Sequence, residues 1–178
     1  KGVKILYGVE ANLLDDEGSI DIPEYVLNKL DLVICSIHTG CYAPKNKDSH
    51  TKAYINTLKN PYVDIIGHSG YTEYEYHIDE VLTVAKELGK VIEINAHTFS
   101  FRKRSTQNCI NIAKRCKELG VLVAVGSDAH SAWGVGCFEP AIKILSEIDF
   151  PQELIVNESY EKLAYYLKNR KPFTLKGL

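Results

Sequence analysis

Six residues able to bind metal or substrate recur along the sequence at long, near-regular intervals: Glu10, His38, His68, Asn95, and Asp128 with His130. From Glu10 to Asp128 the gaps are 28, 30, 27 and 33 residues. Each residue closes a short apolar run, and each gap matches one strand–helix unit of roughly 30 residues. Residues at the carboxyl ends of successive parallel strands converge on one rim, where such folds place their active sites. Two imidazoles, a glutamate and an Asp-x-His there form a mixed nitrogen and oxygen donor set, suited to zinc, manganese or iron.

Taken singly, each residue has an ordinary explanation. Glu10 could be a solvated loop acid, and His38 in SIHTG a hydrogen-bonded core histidine. Glycines flank His68 in IIGHSG and permit tight turns. Asp128 in GSDAH could cap a helix. Five such coincidences in register are harder to accept than one metal site. His50 and His77 fall inside or beside helical stretches and are read as surface residues. His97 follows Asn95 by two on the rim side and is a weaker candidate for touching substrate. Trp133 and Phe138 are expected to pack the last loops.

The apolar runs that must position these residues are Val3 to Val9, Leu32 to Ile37, Val63 to Ile66, Val91 to Ile94 and Val121 to Val125. All are short and rich in Val and Ile, as buried parallel strands are. Leu154 to Val156, before Asn157, is a weaker sixth candidate. Between them lie helical stretches: Pro23 to Lys29 after a capping Asp21, His50 to Lys59, Ile78 to Leu88 ending at Gly89, Gln107 to Leu119 ending at Gly120, Phe138 to Ile148, and Glu158 to Asn169. Strands alternating with helices imply a parallel α/β sheet, as a barrel or an open doubly wound sheet.

The chain of 178 residues suits one domain, here residues 1–178, with 45% hydrophobic and 25% charged residues. A net charge of −2 argues against nucleic acid as the main partner. Five cysteines with no CxxC read as reduced thiols of a cytoplasmic protein, with Cys35 in the core. No stretch has the apolar length of a membrane span.

The segments GVEANLLDDEGSID, DLVICSIHTGCYAP, VDIIGHSG, VIEINAHTF and GSDAHSAWGVGCFEPAIKIL, in this order, resemble the YcdX-like phosphatases of the PHP (polymerase and histidinol phosphatase) superfamily. The likeness runs through DFPQELIVNESYEKLAYYLKNR, nearly the whole chain. It implies a distorted (β/α)7 TIM-like barrel binding up to three divalent ions, zinc or manganese with iron as an alternative, and hydrolysing small phosphoesters. It also implies that Glu10, His38, His68, Asp128 and His130 are metal ligands. The family's opening HxH motif does not occur before Glu10. With no Met in the chain, the expectation is a C-terminal portion of the fold, truncated at its N-terminus to about five or six strands, weak or inactive alone, and binding one ion at Glu10, His38 and His68.

The expected chemistry is hydrolysis of a phosphate monoester by a metal-bridged hydroxide, with Glu10 and Asp128 as catalytic groups. Arg102, Arg104 and Asn95 are the candidates for holding substrate, an arginine gripping a phosphoryl oxygen. The competing reading is a degenerate, non-catalytic PHP module that binds metal or a partner. A carbon–nitrogen hydrolase ranks last, because no lysine stands at a strand end. An exposed edge near Val3 would invite pairing, which points to a homo-oligomer.

Overall fold

The computed structural model describes residues 3–170. Five strands form one parallel sheet in the order of the chain: β1 (Gly8–Asn12), β2 (Leu32–Ser36), β3 (Ile65–Ile66), β4 (Val91–Asn95) and β5 (Val123–Gly126). Among the described residues no ladder joins β1 to β5, so the sheet has two edges. Helices α1 (Glu24–Leu27), α2 (Lys47–Lys59), α3 (Ile78–Glu87), α4 (Ala96–Phe101), α5 (Thr106–Leu119), α6 (Glu139–Glu147) and α7 (Tyr160–Arg170) complete the fold. No described helix is long and apolar enough to cross a membrane.

The strand alternation divides the core in two. Ala11, Val33, Cys35, Ile66, Ile92, Ile94 and Val123 face the helix layer, where α2, α3, α5 and α6 bring Leu58, Leu82, Ile112 and Leu145. The opposite, inner face carries a smaller cluster of Ile65, Val91, Ala124 and Val156, covered by Leu163 and Tyr166 of α7. Above that cluster the inner face turns polar. Glu10, Ser36, Glu93 and Asn95 follow in alternation with the helix-facing residues. Apolar below and polar at the carboxyl end is the pattern of a sheet that carries a site on its rim.

Several elements differ from their sequence expectation. The first strand begins at Gly8, leaving Val3, Ile5 and Tyr7 exposed. Its ladder needs β2 as neighbour, and β2 starts only at Leu32. The Val63 run forms a strand only at Ile65 and Ile66. Leu154 to Val156 supplies a single parallel bridge, Val123 with Ile155. There the Asn157 amide, rather than a backbone, pairs with both Val125 N–H and Val125 C=O, at 2.9 and 2.8 Å. Helix α2 starts earlier than expected, with Asn46 as its cap, accepting from Ser49 N–H at 2.8 Å. Gly120 ends α5 as expected, in the left-handed conformation with φ 70°.

Gly67 is where packing and rim meet. A Cβ there would lie 2.1 Å from Ser36 Oγ and 2.9 Å from Ile34 Cγ2. Gly67→Ala should therefore lower stability by about 1–3 kcal/mol, the usual range for overpacking. A urea midpoint shifted down at unchanged slope would show it; an unchanged midpoint would contradict this packing.

Candidate metal centre

The rim residues reach the site by different routes. Glu10 is the middle residue of β1, while His38 and His68 stand two residues past β2 and β3. Ser36 donates its hydroxyl to Glu10 Oε1 at 2.6 Å. The Nε2 atoms of His68 and His38 lie 2.9 and 3.6 Å from the same oxygen. The two imidazoles meet edge to face, ring centres 5.1 Å apart. Each of the three residues offers one ligand atom within 4.8 Å of the others. A carboxylate and two imidazoles converging in this way fit a first-row divalent ion with open positions left over.

The donor set is held from behind. Asp21, expected as the cap of α1, accepts instead from the Asn12 backbone at 2.8 Å and from the Asn12 amide at 2.6 Å; α1 has no side-chain cap. That fixes which way the Asn12 amide points. Its Oδ1 then faces His38 Nδ1 at 2.7 Å. An amide oxygen only accepts, so Nδ1 carries the proton and Nε2 is left as the free base, the form a metal ligand needs. Sequence reasoning missed Asn12 and Asp21. The signal was there: Asn12 lies two residues past Glu10, on the same face of the strand.

His68 is buried and has φ 21°, a conformation few residues without glycine's freedom adopt. Its backbone N–H donates to Glu93 Oε2 at 2.8 Å. Its Nδ1 is buried without a hydrogen-bond partner among the described residues, and the Tyr71 ring packs against the imidazole at 4.8 Å. Glu93 was also missed, although an acid inside the apolar run VIEIN, two positions before Asn95, marks an interrupted inner face.

Charge follows the geometry. The hydrogen bond from His68 is the largest influence on Glu10; despite opposing burial it holds the carboxyl down to about 2. Burial, then the charge of His68, lowers the His38 imidazole. Burial raises the Glu93 carboxyl.

Asp128 and His130 lie beside this triad rather than in it. Asp128, with φ 48°, accepts from Arg102 Nη1 at 3.3 Å. The Arg102 guanidinium covers the Tyr71 ring at 4.9 Å, so Asp128, Arg102, Tyr71 and His68 form one continuous chain of contacts. His130 is exposed, its Nδ1 2.8 Å from the Asp128 carbonyl, and its ring stacks on His97 at 5.0 Å. His97 stacks in turn on Phe101 at 4.4 Å. Arg104 is exposed and lines, with Arg102, Tyr71 and Phe101, a groove of about 500 Å³. Asn95 is buried; it caps α4 by accepting from Thr98 N–H at 2.9 Å and donates to Glu93 at 3.2 Å.

Two expectations for side chains, those for His50 and Trp133, are corrected. His50 is buried, not on the surface: it accepts from Lys45 N–H and meets the Glu75 carbonyl through Nδ1, both at 2.8 Å. Tyr42 and Tyr74 enclose it. His77 is half-exposed and pairs with Asp48. Trp133, on the short 3-10 turn Ala132–Gly134 that precedes α6, is 91% exposed, whereas Phe138 is half-buried. Cys35 lies in the core, as expected.

No family model matches the chain. Over 173 residues it is 50% identical to a protein of Thermoanaerobacter sp. strain X514 named "probable phosphatase", covering 96% of this chain and 71% of that one. A "probable phosphatase" of Caldanaerobacter subterraneus is equally similar, with 68% of its length covered. One from Acetivibrio thermocellus is 48% identical over 170 residues, covering 96% of this chain and 70% of its own.

Two outcomes follow from the geometry. In metal-free protein the Glu10 carboxyl carbon should titrate near pH 2, and His68→Ala should move that midpoint up into the ordinary glutamate range. The folded value lies below the unfolded one. The stabilisation is therefore present above the unfolded pKa and disappears as pH falls through the folded one. An unmoved midpoint in His68→Ala would show that the contact is not made in solution. His50→Ala should cost about 2–4 kcal/mol in urea unfolding, since it leaves a cavity and takes the side-chain partner from two backbone groups.

Proposed function

Because the chain belongs to the phosphatase family of these relatives, we propose that it is a metal-dependent phosphoric ester hydrolase of the PHP type. In this reading the five-stranded parallel sheet is part of a distorted (β/α)7 barrel forming a single domain. Small phosphate monoesters are the substrates. The observation that carries the proposal is the convergence of His38 Nε2 and His68 Nε2 on one oxygen of Glu10 at the carboxyl ends of adjacent parallel strands.

Glu10, His38 and His68 would hold a divalent ion, zinc or manganese. Such an ion supplies water activation near neutral pH and neutralises phosphoryl charge. The chain's own residues do the rest. Asn12 keeps the His38 proton on Nδ1, away from the donor atom. Asp128, half-buried beside the triad, would accept the proton of the attacking water. Arg102, paired with Asp128, offers a guanidinium fork to a nonbridging phosphoryl oxygen. Arg104, on the same groove, supplies a second cation for the substrate. Asn95 serves the site from behind, through Glu93 and the cap of α4. His130 joins as a ligand only if its ring leaves His97. The five cysteines, an odd number without paired spacing, support a reducing, cytoplasmic setting.

Elemental analysis of zinc- or manganese-loaded protein should find about one ion per chain. Glu10→Gln, His38→Ala and His68→Ala should each reduce it, and His77→Ala and His50→Ala should not. Hydrolysis of an aryl phosphate with added zinc or manganese should drop to background in Glu10→Gln. Equal metal content in all five variants would overturn the site, and turnover independent of added metal would overturn the mechanism.

A further inference from the structure

We propose that Glu93 is a positioning residue of this site: its carboxylate holds the backbone of His68 in the turn from which the imidazole reaches Glu10. The catalytic consequence rests on the metal-centre reading above; the positioning itself does not.

Glu93 occupies the inner face of β4 between Val91 and Asn95. In the ladder it stands opposite Ala124, among the residues of the small inner cluster. An acid there is costly to bury and contributes nothing to apolar packing. What it does is local. Oε2 takes the His68 N–H at 2.8 Å and the Asn95 amide at 3.2 Å. The first of these gives the backbone donor of a buried residue its acceptor. It acts on a residue whose φ of 21° lies where a side chain is disfavoured. Such conformations are unfavourable and persist only where the surroundings over-determine them. The second bond fixes the rotamer of Glu93, because Asn95 is itself anchored as the cap of α4.

The neighbouring strand makes room for this arrangement. Gly126 pairs with Asn95 in the β4–β5 ladder, and a Cβ on it would stand 2.0 Å from Glu93 Oε1. The carboxylate thus occupies space that only glycine leaves. Geometry links the strands in sequence: Gly126 admits Glu93, Glu93 holds His68, and His68 meets Glu10.

Three variants test this: Glu93→Ala, Glu93→Gln and Gly126→Ala. The first readout uses metal-free protein. The His38 and His68 rings, with centres 5.1 Å apart, should give a nuclear Overhauser contact in the wild type. Glu93→Gln retains an acceptor oxygen and should keep that contact. Glu93→Ala and Gly126→Ala should lose it while contacts among the helix-facing core residues persist. If Glu93→Ala does not fold, Gly126→Ala, which displaces the same side chain from outside, carries the comparison. The second readout is cobalt titration, in which Glu93→Ala and Gly126→Ala should weaken binding by about 10–100-fold, the range for partners that orient metal ligands, with Glu93→Gln near wild type. A preserved ring contact in Glu93→Ala, or in Gly126→Ala if Glu93→Ala does not fold, overturns the proposal, as does its loss in Glu93→Gln. Failure of the wild type to bind cobalt would instead overturn the metal-centre reading, and the ring contact would still decide the role of Glu93.

Discussion

One oxygen, Glu10 Oε1, gathers the Ser36 hydroxyl at 2.6 Å, His68 Nε2 at 2.9 Å and His38 Nε2 at 3.6 Å. These partners come from two strand connections and from the end of β2, so the contact exists only while β1, β2 and β3 keep their register. Glu10 pairs with Ile34, and Ile34 with Ile65. A shift of one residue would send every side chain of a strand to the opposite face. Glu10 would then enter the helix layer, among Val33, Cys35 and Leu58, where nothing could solvate it. The apolar pattern that fixes the core therefore also fixes the site.

Local strain is concentrated at the same rim. Among the described residues, three non-glycine positions have positive φ, and two of them are His68 and Asp128. Both stand two residues past the end of a parallel strand, where the chain must turn sharply away while aiming a side chain inward. Gly67 and Gly126 allow the strands and the groups beside them to approach closely enough for this. Rim and core thus place opposite demands on the chain: the helix face wants bulk, and the inner face needs vacancies at chosen positions.

The corner at Asp128 has a different character. Arg102 lies between the Asp128 carboxylate and the face of Tyr71, and Tyr71 packs on His68. Charge pairing and a cation–π contact of about 0.5–2 kcal/mol hold the guanidinium there. It reaches the triad through Tyr71, and it is already oriented, so little side-chain freedom remains to be lost when an anion arrives.

Much of this was legible in the residues alone. The period of about 30 residues between polar residues at strand ends, the Val- and Ile-rich runs and the glycine at the end of α5 were enough to place five parallel strands and to bring Glu10, His38 and His68 to one rim. Those signals are local or periodic, which is why a single sequence carries them. What it did not carry depends on contacts between residues far apart in the chain. Asp21 looked like a helix cap but orients Asn12, and through it the His38 tautomer. His50 looked like a surface residue but is buried against Lys45 and Glu75. Glu93 went unread inside the apolar run of β4, and only the fold sets its carboxyl against the His68 backbone. Residue types and spacing determined which side chains could meet. Only the tertiary structure decided which atoms face each other, because a hydrogen bond needs its partners placed to within a few tenths of an ångström and strand periodicity does not reach that scale.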